Sequence, residues 1–214
     1  MSIKKNILTI FFLLSYTLIF YNLFLIKYFN GDIYSQFPNA KIKQNITNNN
    51  SNNNKWFNYT DNKENFTTII PKEWEIIKSK NNENNQTDAI TIFRSPKENS
   101  NDIFQDNIVI SIKKSDKSIA NSNPIEIQTI IKKLAKNNND FKLENISDIN
   151  IDDNQTGKSL KYSFKNLGID FDTEQIFSIL DNKIYIFSLL TEQKSFEKYA
   201  LVLNYMLKNF KIIK

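Results

Sequence analysis

The sequence contains 0 cysteine and 0 histidine residues, and these two absences exclude much of the common chemistry of proteins. Without cysteine there are no disulfides, no thiolate zinc sites and no cysteine nucleophile. Without histidine there is no imidazole general base, no Ser-His-Asp triad and no histidine-bound transition metal. Catalysis by carboxylates, lysine or tyrosine stays possible, but most hydrolase and metalloenzyme designs are excluded.

Arginine is nearly absent as well. Arg94 is the only arginine among 28 basic residues, so the net charge of +5 comes almost wholly from lysine. Proteins that read nucleic acids favour arginine, because its planar guanidinium group forms paired hydrogen bonds with bases and phosphates. The joint abundance of lysine, asparagine and isoleucine is typical of an AT-rich genome. We therefore expect no nucleic-acid binding.

One long apolar run lies near the start of the chain. Residues 7–26 carry no charge, and as a helix they would span roughly 30 Å, the thickness of the hydrocarbon core of a bilayer. Lys4 and Lys5 precede the run, which predicts a cytoplasmic N-terminus. We expect residues 1–29 to form a short cytoplasmic tail and a single-pass transmembrane anchor, with the rest of the chain extracytoplasmic at the cell membrane. The alternative is a cleaved signal peptide, but the run exceeds the roughly 7–15 residues of a signal h-region and no A-x-A-like site follows.

Residues 30–55 are polar and rich in asparagine. Such a tract has too little apolar surface to offset the conformational entropy of the chain, so we expect a disordered tether. A flexible coil of about 26 residues would reach roughly 25–30 Å. Residues 56–214 then remain, and they are sufficient for one domain with its own hydrophobic core.

Runs of β-branched and aromatic residues predict nine strands in this domain. They are residues 56–59, 66–70, 74–77, 88–93, 107–113, 141–152, 158–166, 171–180 and 184–191. Residues 153–157 are expected to form a hairpin turn in which Gly157 is free to adopt a positive φ.

Two helices are predicted. The first begins with Asn123 as N-cap and Pro124 as first helical residue, and its apolar stripe is Ile127, Ile130, Ile131 and Leu134. The second spans residues 195–210, with an apolar face made of Phe196, Tyr199, Ala200, Leu203, Leu207 and Phe210. Since hairpin-connected strands pair antiparallel and each amphipathic helix needs an apolar surface, we predict an α+β fold, an antiparallel β-sheet flanked by helices.

Three segments resemble PsbP-like domains. Residues 66–74 read FTTIIPKEW, an aromatic-led strand followed by a proline and a tryptophan. Residues 93–96 read FRSP and lead, through Asp102, Phe104 and Asp106, into the strand NIVI. Residues 183–191, KIYIFSLLT, and the final helix through LKNF resemble the closing strand and helix of that family.

The resemblance covers roughly residues 57–213 and implies an αβα sandwich that acts as an extrinsic, non-enzymatic binding module at a membrane surface. The best-known members attach to photosystem II and support its calcium and chloride requirement. We do not transfer that role, because this chain has a predicted anchor and tether, and because it lacks the histidine that ligates metal in some relatives.

Several residues could form a site, and each has a structural alternative. Trp74 could be a ligand platform, but a tryptophan after a strand-breaking proline more often closes the edge of a core. The pairs Asp102 with Asp106, and Asp152 with Asp153, could supply oxygen ligands to calcium. Neither pair has the spacing and central glycine of an EF-hand, so solvated loops are expected at both places.

Three carboxylates, Asp170, Asp172 and Glu174, alternate along one predicted strand and therefore share a face. The neighbouring strand offers Lys161, Ser163 and Lys165 at the same spacing. We expect the two rows to pair as an exposed cross-strand charge ladder. No catalytic, cofactor-binding or metal-binding residue is therefore predicted.

Glycan acceptor sequons are frequent. Seven asparagines begin an N-x-[ST] sequence, which can carry glycans in an exported domain: Asn45, Asn49, Asn58, Asn65, Asn85, Asn145 and Asn154. In a sequence this rich in asparagine, many such matches arise by chance.

Two functions of different classes follow from the sequence. The first is a membrane-anchored extracytoplasmic binding or scaffold module that is not an enzyme, needs no cofactor and meets a protein partner near the membrane. The alternative is a carboxylate-based hydrolase acting on an extracytoplasmic glycan or peptide. An inward pair of carboxylates in a deep cleft, with one pKa raised, would favour the hydrolase. A shallow face lined by aromatic side chains would favour binding.

Overall fold

The computed structural model describes residues 55–78, 89–100, 102–114, 124–152, 155–180 and 183–213. The predicted anchor and nearly all of the predicted tether lie outside these ranges. In the part of the chain that is described, neither helix combines the length and apolarity needed to cross a bilayer.

The described residues form ten strands and two α-helices. In chain order they are β1 (Trp56–Asp61), β2 (Phe66–Pro71), β3 (Glu75–Lys78), β4 (Ala89–Arg94), β5 (Asn107–Lys114), α1 (Pro124–Asn137), β6 (Asn139–Asp152), β7 (Gln155–Asn166), β8 (Ile169–Leu180), β9 (Lys183–Glu192), α2 (Phe196–Lys208) and β10 (Lys211–Ile212). A single 3-10 turn, Gln193–Ser195, joins β9 to α2.

The strands form two antiparallel sheets. The larger one has seven strands in the order β3-β4-β5-β9-β8-β7-β6, and the smaller one has three in the order β1-β2-β10. The fold is therefore mainly sheet with two helices, and the antiparallel pairing expected from the sequence is confirmed. The division into two sheets was not predicted, because strand periodicity does not reveal which strands pair with one another.

Helix α2 packs on one face of the larger sheet. Leu203, at the centre of its apolar stripe, is 0% exposed and lies in the largest cluster of buried side chains with Ile110, Phe187 and Leu189. The helix ends at Lys208, so the predicted end at residue 210 is wrong by two residues. Phe210 is nevertheless buried as predicted, with its ring stacked on Phe66 and edge-on to Phe187.

Helix α1 packs on the opposite face. Its Leu134 is 2% exposed and clusters with Tyr162, Phe171 and Leu190. Since Leu189 and Leu190 are consecutive residues of one strand, their side chains point to opposite faces of the sheet. The two helices therefore lie on the two sides of the same sheet.

The two sheets are joined by a buried carboxylate. Asp61, at the end of β1, accepts hydrogen bonds from the Tyr59 hydroxyl at 3.0 Å and from the backbone N–H groups of Lys63 and Glu64 at 3.1 Å. It also pairs with the ammonium group of Lys78, on β3 of the larger sheet, at 3.0 Å. Burial alone would raise the pKa of Asp61, but the bonds from Lys78 and Glu64 outweigh it, and the net pKa is lowered.

Gly157 does not have the role that the sequence predicted. It lies inside β7, paired with Ile149 on one side and Ser178 on the other, instead of at a positive φ in a turn. A Cβ at this position would stand 2.6 Å from the carbonyl oxygen of Phe177, so glycine is required by close backbone approach. Positive φ occurs instead at Gly168 (82°), in the turn between β7 and β8.

Candidate functional site

The predicted charge ladder is present on β7 and β8. The three register partners are Lys165 with Asp170, Ser163 with Asp172, and Lys161 with Glu174. The distance between Lys165 Nζ and Asp170 Oδ1 is 3.1 Å, and that between Lys161 Nζ and Glu174 Oε2 is 3.7 Å. Two of the three carboxylates that the sequence singled out, Asp170 and Glu174, are thus engaged by lysines of the next strand.

The ladder is not exposed along its whole length, as the sequence had led us to expect. Glu174 is 5% exposed, and the hydroxyl of Ser159 donates a 2.6 Å hydrogen bond to its Oε1. The ammonium group of Lys161 also lies over the ring of Phe196, 5.6 Å from its centroid. Because Phe196 is the first residue of α2, the start of that helix covers this end of the ladder. Strand alternation alone does not reveal such a cover.

Asp172 occupies the middle of the ladder and lacks a lysine partner in the register. Its Oδ1 atom is buried and accepts no hydrogen bond from the residues that are described. Burial raises the pKa of Asp172, and the carboxylates of Glu144, Asp170 and Glu197 raise it further, while a hydrogen bond with the side chain of Gln193 opposes them. The surroundings of Asp172 therefore stabilise its anion less than water does.

A second acidic cluster lies where β5 begins. Asp106 is 3% exposed, and its Oδ1 accepts a 3.0 Å hydrogen bond from the backbone N–H of Glu192. Burial raises the pKa of Asp106 to about 7, with the nearby carboxylates of Glu192, Glu98 and Asp102 adding to the rise and the Glu192 N–H opposing it.

The solvated loop predicted for Asp102 and Asp106 is therefore wrong for Asp106. Asp102 does behave as a loop residue, since its carboxylate accepts hydrogen bonds from the backbone N–H groups of Glu98 and Phe104 at 2.9 and 3.1 Å. The missed signal was the continuous apolar run that begins two residues after Asp106. Ile108 and Val109 are 0% and 1% exposed, so this end of β5 is covered on both faces.

The other predicted positions are placed as follows. Asp152 is the last residue of β6, and Asp153 lies outside the described residues. Trp74 is 8% exposed and packs edge-on against Tyr199 of α2 at 5.4 Å between ring centroids, so its predicted role as a core residue is confirmed. In the described ranges, no three or more carboxylates lie close enough together to hold a metal ion.

Three of the seven sequon asparagines lie among the described residues. Asn58, Asn65 and Asn145 are exposed, whereas the asparagines at 45, 49, 85 and 154 lie outside the described residues. Glycan attachment stays a prediction.

Strand β6 forms one edge of the larger sheet and, within the described ranges, pairs with β7 alone. All the side chains from residue 142 to residue 148 are exposed, and Leu143 and Ile146 are each 37% exposed. Their register partners Tyr162 and Leu160 are each 2% exposed. Leu143 and Ile146 therefore extend a buried apolar surface to the open edge. Pairing is regular between Asn145 and Asn150 and shifts register on either side.

A scan against protein-family models found no match, and neither did a search of curated proteins. Solved structures do match. The chain is similar to cyanobacterial PsbP (CyanoP) from Synechocystis sp. PCC 6803, with 13% identity and a TM-score of 0.53 over 78% of this chain and 97% of that one. It is also similar to LpqN of Mycobacterium tuberculosis, which is involved in cell envelope biogenesis, with 12% identity and a TM-score of 0.50 over 74% and 91% of the two chains.

A third similar structure is PA94, a protein of unknown function from Pseudomonas aeruginosa, with 20% identity and a TM-score of 0.48. At such identities a likeness shows the fold alone, because one fold supports many functions. Within that limit, the similarity to CyanoP agrees with the motifs in the sequence, and the described domain has the PsbP-like fold.

Proposed function

We propose that this protein is a membrane-anchored, extracytoplasmic binding module of the PsbP-like αβα type, which holds a protein partner along the open edge of β6 and performs no catalysis. The observation that carries the proposal is that edge. β6 spans Asn139–Asp152, has one strand neighbour in the described structure and exposes every side chain from residue 142 to residue 148.

An open edge strand offers unpaired backbone N–H and C=O groups to another chain. A partner segment can add itself as a further strand, with backbone hydrogen bonds supplying affinity and alternate side chains supplying specificity. The regular stretch Asn145–Asn150 would provide the pairing surface, and Leu143 and Ile146 would provide the apolar contact. The register shifts that flank this stretch limit indiscriminate pairing between edges, which is a common protection of natural sheets.

Two observations support the extracytoplasmic address. The charge-free run of residues 7–26 behind Lys4 and Lys5 predicts an anchor with an exported domain. LpqN, which shares the fold, is involved in cell envelope biogenesis in its own organism.

The ion pairs of Asp170 and Glu174, each with a lysine of β7, favour a structural role for these carboxylates over a catalytic one.

Site-specific photo-crosslinking in the native cells tests the proposal. A photoreactive amino acid is placed in the full chain at residue 146 or, as a matched control, at residue 167, where Leu167 is 70% exposed on the turn between β7 and β8. We expect a discrete adduct in the membrane fraction from position 146 and none from position 167. Equal adducts from both positions, or none from 146, would contradict the use of the β6 edge.

One observation favours a carboxylate-based hydrolase as a second candidate. The pKa of Asp106, raised to about 7, suits a general acid, and Asp172 on a nearby strand supplies a second carboxyl with a raised pKa. Against it, Asp106 is 3% exposed and bonded to the backbone of Glu192, so a substrate would have to displace that bond. Turnover of a glycan or peptide panel by the purified full chain, abolished by Asp106→Asn, would establish the hydrolase and refute the binding module.

A further inference from the structure

The outward side of α2 carries large apolar side chains next to the start of the described domain. Leu201 is 72% exposed and Tyr205 is 41% exposed, and together with Lys208 they stand at i, i+4 and i+7 along one stripe of the helix. The ring of Trp56, on β1, packs against that of Tyr205 with centroids 4.3 Å apart. These four residues are called the α2 stripe below.

We propose that the α2 stripe docks on the surface of a membrane that contains anionic lipid. Tryptophan and tyrosine suit the headgroup region, because each has an apolar ring with a polar edge. An exposed leucine beside them can enter the acyl region, as Leu201 would from its place one turn before Tyr205. The ammonium group of Lys208 would remain among lipid phosphates.

The position of the stripe in the chain identifies the bilayer as its occupant. Trp56 is the first residue of β1, the first strand in chain order, so the start of the sheet lies in the stripe. Upstream, only residues 27–55 separate it from the charge-free run 7–26. The disordered tether predicted from the sequence would have an end-to-end distance of about 30 Å over that length, which would keep the stripe within reach of the membrane that holds the predicted anchor.

The charges around the stripe are of both signs. Lys55 and Lys72 are exposed beside Trp56, and the Lys72 N–H donates to the Lys55 carbonyl at 3.0 Å, which holds the two residues together. Glu73 and Glu197 are also exposed nearby, one after Lys72 and the other four residues before Leu201. The electrostatic attraction is therefore modest, and the tether supplies the high local concentration that makes the contact effective. The inference rests on the anchor in the proposed function, and it specifies which side of the domain faces the lipid.

Tryptophan quenching by brominated lipid provides the test. The full chain is placed in vesicles of equal parts phosphatidylcholine and phosphatidylglycerol with brominated acyl chains. The chain has 2 tryptophans, and the second, Trp74, is 8% exposed, so the difference between the wild type and Trp56→Phe isolates the signal of Trp56. We expect this signal to be quenched and the quenching to be lost in Leu201→Glu. The matched control Leu167→Glu, at another exposed leucine, should keep it.

Quenching should also weaken in pure brominated phosphatidylcholine and at high salt, because both reduce the attraction to lysine. A Trp56 signal that brominated lipid leaves unchanged, or one that Leu201→Glu does not alter, would overturn the proposal. If the Trp56 fluorescence changes with the density of protein in the membrane but not with bromination of the lipid, the stripe contacts a second copy of the chain. That result would also overturn the proposal.

Alkaline carbonate washing of the same vesicles tests the anchor separately from the docking. Release of the chain refutes the anchor, whereas retention of the chain without quenching of Trp56 refutes only the docking.

Discussion

The backbone N–H of Glu192 donates a 3.0 Å hydrogen bond to Oδ1 of Asp106, and this bond ties the end of β9 to the start of β5. The segment before Asp106 is also held to α2, since Glu98 pairs with Lys198 of that helix at 3.1 Å. Asp106 is thus a buried acid within a group of other acids. Its neutral form suits this place better than its anion, which makes the stability of the domain depend on pH.

Asp106→Asn should stabilise the domain at neutral and alkaline pH. The folded pKa is about 7, above the ordinary value of 3.8 for an aspartate, so the contribution of the neutral acid is fully present below about pH 4 and is lost as the pH rises through about 7. An amide stays neutral and can still accept the Glu192 hydrogen bond. We expect the variant to gain about 1–3 kcal/mol in free energy of unfolding at about pH 8, and much less at about pH 5.

Urea unfolding of the wild type and the variant at both pH values measures this difference. The two proteins are compared at the same pH, so that contributions from other titrating groups cancel. Asp61, whose pKa is lowered, is ionised in both the folded and the unfolded state at both pH values and adds no pH dependence there. An equal difference at the two pH values would contradict the burial of a protonated Asp106.

Leu203→Ala should be strongly destabilising. The side chain is 0% exposed at the centre of the α2 face, and truncation of a buried leucine costs about 2–5 kcal/mol. Leu201→Ala, on the same helix but 72% exposed, is the matched control and should change the stability by less than about 0.5 kcal/mol. Chemical denaturation of both variants measures the change in free energy of unfolding. Similar losses for the two variants would mean that α2 does not turn Leu203 toward the sheet.

Gly157→Ala should also destabilise the domain, by about 1–3 kcal/mol, because the added Cβ would stand 2.6 Å from the backbone oxygen of Phe177 and would force β7 and β8 apart. Gly168→Asn is the control. That position has a φ of 82° with nothing within 4 Å, and asparagine tolerates positive φ better than other non-glycine residues. Thermal unfolding should give a clearly lower midpoint temperature for Gly157→Ala than for Gly168→Asn. The reverse order would disprove the close approach of β7 and β8 at Gly157.

Glu174→Ala should cost about 1–3 kcal/mol, since it leaves the buried hydroxyl of Ser159 and the half-buried ammonium group of Lys161 without their carboxylate partner. Asp170→Ala removes an exposed ion pair in the same ladder and should cost less than about 1 kcal/mol. If the two variants lose equal stability in urea, the cover that α2 provides over Glu174 is absent in solution.

Local patterns in the sequence predicted the elements and their burial well. The i, i+3, i+4 spacing identified Leu134 and Leu203 as core residues, and alternation on β7 and β8 predicted that a row of lysines faces a row of carboxylates. These features follow from the periods of helix and strand, which a sequence displays directly.

Features that depend on distant contacts were missed. The burial of Glu174 requires α2 to cross the sheet above it, and the requirement for glycine at residue 157 comes from a backbone atom of the next strand. The open edge of β6 follows from the order of the strands across the sheet, which strand periodicity does not reveal. The proposed binding surface is this β6 edge, so it could not be predicted from the sequence.

The size of the native complex tests the central claim most directly. The double variant Leu143→Lys/Ile146→Lys changes two exposed residues of the β6 edge, so it should fold with a stability within about 1 kcal/mol of the wild type and fail to bind the partner. In a mild-detergent extract of native membranes, we expect the wild type and the control Leu167→Lys to migrate in a complex larger than the chain of 25.2 kDa, and the double variant to migrate as the chain alone. A double variant that keeps the complex, or a wild type that migrates alone, would contradict the account.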